Sequence, residues 1–498
     1  MHSGSTNYYE GKWRSALSGK TFNSINPADT DQVIGTYARS ETVDVLAAVC
    51  SAANAYHAWR RTPAPRRGAI IFRMGQLLES HKERLAQQMT AEMGKVIVEA
   101  RGDVQEAIDM AFYIAAFGRL PNGHVAPSER EDIFCMAQRV PVGVVGLITP
   151  WNFPIAIPSW KMFPALLAGN TVVFKPAEDT PGLAVSFVEL LIEAGIPPGV
   201  VNLVTGYGSE AGAALVESPQ VSTISFTGST EVGRQIASRC GHLMKRVSCE
   251  LGGKNAIVVL EDANLELAIK GALWSAFGTA GQRCTAASRI IVQRGVKNRF
   301  RDEFVDRTRA LKLGAGTDSS VEIGPVVNRA QLARIHKYVE IGKAEGARLL
   351  TGGEVLSQGE FARGCFYAPT VFDSLDIGMR VAQEEIFGPV TGIIEVDNLE
   401  EALAAANSTA YGLSLSLYTR DVHKAFQAMR DLEAGIVYIN LPTSGAEIQL
   451  PFGGVKQTGN GHREAGITAM DYCTEWKSIY VNFSDSEELV RAQIDTLN

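Results

Sequence analysis

From Val142 onward the apolar positions fall into short unbroken blocks separated by longer stretches of helical period. "VGVVGLIT" (142–149) is a continuous apolar run of the kind expected for a strand buried on both faces. "IAIPSWKMFPALLAGN" then reads as a helix, despite Pro158 and Pro164, that Gly169 ends, and "TVVFKP" as a second strand. The alternation continues through helix "LAVSFVELLIEAG", strand "VVNLVTG", helix "SEAGAALVES", strand "STISFTG", helix "TEVGRQIASRC" and strand "KRVSCEL". Short strands alternating with helices predict a parallel, doubly wound α/β sheet, which binds ligands beyond the carboxyl ends of its strands. After Gly252-Gly253 a second α/β series begins with "AIVVL", "NLELAIKGALWSAFG" and "SRIIVQ" and runs on to "GIVYIN" (435–440). Residues 41–118 read as helical throughout. "DIFCMAQRVP" and "YCTEWKSIYVNF" stand outside both series as lone strands, and the tail from Ser484 reads as a short exposed helix or a frayed end.

Composition narrows the class. The chain has 498 residues, 46% of them hydrophobic and 20% charged, too many for one core. A net charge of −7 argues against nonspecific nucleic-acid binding, and no apolar run is long enough to cross a membrane. The start, "MHSGSTNYYEGKW", lacks the pattern of a signal peptide. Seven cysteines without a C-x-x-C fit neither a disulfide framework nor a zinc site, and eight scattered histidines offer no paired metal spacing. A cytoplasmic, metal-free protein is the expectation.

Several turns carry candidate chemistry. Gly228 and Ser229 in "FTGSTEVGR" open a helix whose free N–H groups suit a phosphate, or simply close a strand. In "FKPAEDTP", Lys175 and Glu178 sit where a carboxylate accepts from ribose hydroxyls, or form a solvated turn. In "TPWNFP", Asn152 is a turn former or an oxyanion donor. Glu250, before the double glycine of "SCELGGKN", reads as a general base or a surface carboxylate. Cys284 in "GTAGQRCTAASR" lies in a glycine-punctuated loop between a helix and a strand. Metal binding there lacks partner ligands and a cysteine protease lacks a placed histidine. Covalent addition to a carbonyl needs a thiolate, an oxyanion donor and a later base, for which Cys284, Asn152 and Glu250 are available.

Taken together and in this order, "TPWNFP", "KPAE", "FTGS", "ELGGKN", "GQRC", "EEIFGP" and "PFGGVKQTG" resemble the aldehyde dehydrogenase superfamily over nearly the whole chain. The resemblance implies a Rossmann-like cofactor domain (1–120 and 142–252), a catalytic domain (253–454) and a small β bridging domain (121–141 and 470–483), followed by a tail (484–498). It implies that the bridging strands join protomers into a homodimer or homotetramer. It makes Cys284 the nucleophile, Glu250 the base that activates water and Asn152 the oxyanion amide. Lys175 and Glu178 would grip the adenosine ribose, Ser229 the pyrophosphate, and Glu385 and Phe387 the nicotinamide-side ribose, with Trp151 and Gly228 as further cofactor-binding positions. NAD is the expected cofactor, with NADP possible, because Glu178 crowds and repels a 2′-phosphate while Lys175 offsets this in part.

For the aldehyde itself, Phe153, Ile157, Trp160 and the loop "PTSGAEIQL" imply a largely apolar tunnel suited to small aliphatic or aromatic aldehydes. Against this stands Arg283, a candidate for a charge-assisted contact with a carboxylate at the substrate's far end. "GQRCT" with Thr285, "GDVQE" with Glu106, and "TSGAEI" with Gly445 and Ala446 are similar to the antiquitin branch, which handles an amino-acid semialdehyde, although that branch lacks "KPAE". A carboxylate-bearing semialdehyde is therefore the expected substrate. A CoA-acylating enzyme usually lacks the base that Glu250 matches, and an inactive structural relative would have lost Cys284 or Asn152. "GNGHRE" departs from the family's usual "G-x-G-R-E" by interposing His462, to which no role attaches.

Overall fold

A computed structural model describes residues 4–484; the tail read as helix or frayed end lies outside them, apart from Ser484. Strand order explains why the chemistry-bearing turns meet. In the first sheet the order is Arg246–Glu250, Val221–Thr227, Val144–Ile148, Thr171–Lys175, Val201–Leu203, Asn7–Tyr9 and Lys12–Arg14. The first five strands are parallel and the last two antiparallel. Register aligns Thr227 with Glu250, Phe226 with Ile148, and Ile148 with Lys175, so four strands end in one row. Asn152, Glu178, Ser229 and Glu250 all issue from that row.

The second sheet runs Arg348–Thr351, Thr370–Asp373, Val390–Val396, Ala287–Gln293, Asn255–Val259, Ser414–Tyr418 and Ile436–Ile439. All but the first are parallel. Strands such as Thr171–Lys175 and Asn255–Val259 are buried along their full length, which is why they read as unbroken apolar blocks. The fold is α/β, with two such sheets and a small third one.

The two strands that seemed alone pair with each other. Thr474–Asn482 runs antiparallel to Ile133–Pro141 in a nine-residue register, and Gly123–Ala126 adds a third strand that the pattern had not suggested. Asn170 ties this sheet to the first, its side chain accepting from Gly143 N–H at 3.0 Å and donating to the Cys473 carbonyl at 2.8 Å. The first forty residues, silent in the pattern, supply the antiparallel edge of the first sheet and a hairpin, Thr21–Ile25 with Val33–Ala38. Helix Ala156–Ala168 accommodates Pro164 and ends at Gly169, whose φ of 100° needs a residue without a Cβ. Among the described residues no helix is long and apolar enough to cross a membrane.

Candidate active site

The helix Leu265–Phe277 leads into a tight turn, Gly278–Gly281, and the strand Ala287–Gln293 follows. Between them sits Cys284, half-buried. Asn255 fixes this connection from the neighbouring strand, donating to the carbonyls of Cys284 and Ala286 at 2.7 and 3.0 Å. A Cβ on Gly253 would fall 2.5 Å from the Cys284 carbonyl oxygen, so only glycine permits this approach. Asn152 is buried and donates one amide N–H to the Gln282 carbonyl at 3.1 Å, which leaves the second N–H of its amide for another acceptor. Glu250 is buried at the end of its strand, and a Cβ on Gly453 would lie 2.6 Å from Glu250 Oε1.

Cys284 and Glu250 open into one cavity of about 410 Å³. Phe153, Ile157 and Trp160 form an aromatic-aliphatic wall, while Thr285, Gly445 and Ala446 line it from the second sheet's loops. Glu106 and Arg283 also line it, with Glu99, Asp103 and Glu464 among the further lining residues. The indole N–H of Trp160 is buried without a partner, a donor held in that otherwise apolar wall. Phe153, Ile157, Trp160, Glu106, Arg283, Thr285, Gly445 and Ala446 thus meet at one cavity, whereas of the loop 442–450 only Ser444, Gly445 and Ala446 reach it.

The neutral forms of the acids are favoured here. Burial pushes the Cys284 thiol up to about 12, with Glu385, Glu250 and Glu106 adding to the shift and the Thr285 backbone opposing it. Glu250 is raised well above the carboxylate range by burial and by Glu464, against Lys161 and Arg463. Neither of its oxygens completes a well-formed hydrogen bond, the Gly454 N–H giving only a small opposing pull. Glu106 is raised to about 8, by burial first and Asp103 second.

The cations are already paired. Lys95 meets Asp103 at 2.7 Å with both side chains fully buried, and its ammonium lies 3.9 Å from the Phe153 ring centre. Lys161 pairs with Glu464 and donates to Ser225 Oγ at 2.9 Å. Arg283 is held more closely than its place in a loop suggested. It meets Glu99 at 3.0 Å, donates through Nε to Thr279 Oγ1 at 2.9 Å and through Nη1 to Ser444 Oγ at 3.2 Å, and stacks 4.4 Å from Trp274. These bonds use three of its five N–H groups.

Glu99, Asp103 and Glu106 stand at i, i+4 and i+7 of helix Ile97–Phe117, so the helical period alone places three acids on one face. Sequence reasoning had singled out only Glu106. It also passed over Lys161, whose signal was a lone lysine inside the apolar "SWKMFPALL". His462, left without a role, is half-buried, and burial together with Arg246 lowers its pKa.

None of the remaining candidates lines that cavity. Lys175 is buried and meets Glu178 at 3.0 Å, with Glu178 partly exposed. Ser229 caps helix Thr230–His242, its Oγ accepting from Val232 N–H at 3.4 Å, and Gly228 N–H is held by the Glu250 carbonyl at 3.1 Å. Trp151 and Phe387 meet edge to face at 5.4 Å. Glu385 accepts from Gly253 N–H at 3.0 Å, and a Cβ on Gly252 would fall 2.3 Å from its Oε2. A helix N-terminus with a hydroxyl cap, a carboxylate-lysine pair and an aromatic edge along one sheet's carboxyl end fit a dinucleotide. Among the described residues no group of three or more His, Cys, Asp or Glu is placed to hold a metal ion.

Comparison with known proteins agrees with this geometry. The profile of the aldehyde dehydrogenase family matches residues 13–479. The alpha-ketoglutaric semialdehyde dehydrogenase of Bacillus subtilis is 41% identical over 95% of this chain and 97% of its own. The 2,5-dioxopentanoate dehydrogenase of Saccharolobus solfataricus is 39% identical over 93% and 96%. Among solved structures, betaine aldehyde dehydrogenase from Staphylococcus aureus in complex with NAD+ superposes with a TM-score of 0.95 at 34% identity, covering 99% of this chain and 97% of that one.

Proposed function

The chain belongs to the aldehyde dehydrogenase family, and from that premise we propose that it oxidises a carboxylate-bearing semialdehyde to the dicarboxylic acid, with NAD as its cofactor. The observation that carries the reading is the single cavity in which Cys284, Glu250 and Arg283 meet.

Cys284 adds as thiolate to the aldehyde carbon. The resulting oxyanion takes hydrogen bonds from the second Asn152 amide N–H and the Cys284 backbone N–H, a donor of this kind lowering the barrier by about 3–4 kcal/mol. NAD(P)+, when bound, supplies the hydride acceptor and a positive charge that opposes the carboxylates holding the thiol up. Glu250 then takes a proton from water, whose oxygen attacks the thioester carbon; the carbon–sulfur bond breaks, releasing the acid and the Cys284 thiolate. Its raised pKa makes it a stronger base than an ordinary carboxylate once ionised.

Lys175 and Glu178 hold the adenosine ribose, Gly228 and Ser229 the pyrophosphate, and Trp151, Glu385 and Phe387 the nicotinamide side. NAD is preferred over NADP because Glu178 stands where a 2′-phosphate would come. The substrate's far carboxylate is read by the two N–H groups of Arg283 that have no acceptor, while Phe153, Ile157 and Trp160 enclose the chain between the two ends. The names of the relatives from Bacillus and Saccharolobus, both enzymes of a semialdehyde carrying a carboxylate, support this reading. The three-stranded sheet joins protomers into a homodimer or homotetramer, since Trp476, Tyr480 and Phe483 stand exposed along it. The free cysteines suit a reducing compartment, the cytoplasm.

A second reading, a broad-specificity enzyme for neutral aldehydes, draws on the pairing of Arg283 with Glu99. The ratio of kcat/KM for a carboxylate-bearing semialdehyde to that for its neutral alkyl analogue separates the two. We expect a preference of about 10- to 100-fold that collapses in Arg283→Ala, as for loss of a charged hydrogen bond. No preference, or one unchanged in Arg283→Ala, supports the broad-specificity enzyme.

A further inference from the structure

The turn that delivers Cys284 contains two consecutive non-glycine residues in the left-handed region, Thr279 at φ 53° and Ala280 at φ 52°. A β-branched residue is costly there and persists only where its surroundings over-determine it. What holds it comes from far away in the chain. Glu99, in the first turn of helix Ile97–Phe117, accepts from the Thr279 N–H at 3.0 Å and from the Thr279 hydroxyl. The same carboxylate pairs with Arg283 at 3.0 Å, and Arg283 Nε closes the ring by donating to Thr279 Oγ1 at 2.9 Å. Both charged side chains are nearly inaccessible, at 3% and 8% exposure. On the opposite side the turn has no room to relax, since a Cβ on Gly281 would fall 2.1 Å from the Gly388 carbonyl oxygen.

We propose that Glu99 is a positioning residue for the nucleophile: its carboxylate clamps the left-handed Thr279–Ala280 turn and Arg283 together, fixing Cys284 and the guanidinium from across the boundary between the two large sheets. This rests on Cys284 being the nucleophile. Through Thr279 the clamp sets where the sulfur and the Cys284 backbone N–H stand relative to Asn152, whose amide is itself bonded to Gln282 inside the same segment. Through Arg283 it fixes the direction of the two N–H groups left for a substrate.

Glu99→Gln keeps an acceptor for the Thr279 N–H but loses the charge that binds Arg283. For a neutral aldehyde we expect kcat to fall about 10- to 100-fold with KM within about threefold, the signature of a misplaced reacting group. Alkylation of Cys284 by iodoacetamide, followed on its own peptide by mass spectrometry, should slow in parallel. Thr279→Gly removes the left-handed penalty, so Glu99→Gln should cost less in that background, a non-additive double-mutant cycle. Should Glu99→Gln fail to fold, Thr279→Gly alone is expected to lower kcat and slow alkylation without raising KM. Unchanged kcat and alkylation, an additive cycle, or a loss confined to KM for a carboxylate-bearing substrate would overturn the proposal. If instead Cys284→Ala retained activity, the reading of the nucleophile would fail, and the clamp would have nothing to position.

Discussion

Glu106 faces the cavity with its carboxyl raised to about 8, by burial first and by Asp103 second. An acid whose pKa is higher folded than unfolded stabilises the fold most below its ordinary pKa. It loses that contribution as pH rises through its folded value. The window therefore runs from the ordinary carboxylate range up to about 8. Glu106→Gln, isosteric and always neutral, should gain melting temperature relative to the parent from pH 5 up to about pH 8 and then level off, as followed by differential scanning fluorimetry. Parallel melting curves across that range would contradict the buried placement. At the scale of single residues the sequence speaks where a residue sits in a recognisable turn: Cys284, Glu250 and Asn152 stand out that way, and the structure brings Cys284 and Glu250 to one cavity with Asn152 bonded to the Cys284 loop. The sequence is silent where the meaning lies in a distant partner. Glu99 meets Arg283 from 184 positions away and Lys161 meets Glu464 from 303, separations that no local pattern records.

Strands and helices carried their signal in proportion to their burial. Val144–Ile148, Thr171–Lys175 and Asn255–Val259, buried at every position, read directly from the chain. Asn7–Tyr9 and Lys12–Arg14, three residues each, are too short for any period to register. The strands Ile133–Pro141 and Thr474–Asn482 were visible singly, but their nine-residue pairing was not, because antiparallel partners so far apart share no sequence signal. The proposed preference for NAD belongs to the end of strand Thr171–Lys175. Lys175 is buried at that end and turns toward Glu178, leaving the carboxylate partly exposed in the turn. Glu178→Gln should narrow the ratio of kcat/KM for NAD over NADP by about tenfold, roughly the value of one charged contact. An unchanged ratio would remove Glu178 from the discrimination.

For the molecule as a whole, the carboxyl end of the first sheet and the loops of the second meet at Cys284, and the third sheet is sewn to the first through Asn170. This arrangement puts the proposed base and the proposed nucleophile on different sheets: Glu250 ends a strand of the first, and Cys284 precedes a strand of the second. Addition and hydrolysis are therefore separable by substitution. Rapid quench of Glu250→Gln with a semialdehyde and NAD separates addition from hydrolysis. We expect a burst of about one NADH per active site, an acyl mass on the Cys284 peptide, and steady turnover slowed about 10²- to 10⁴-fold. Release of acid at the parent rate, or product formation with no adduct on Cys284, would contradict these roles of Glu250 and Cys284.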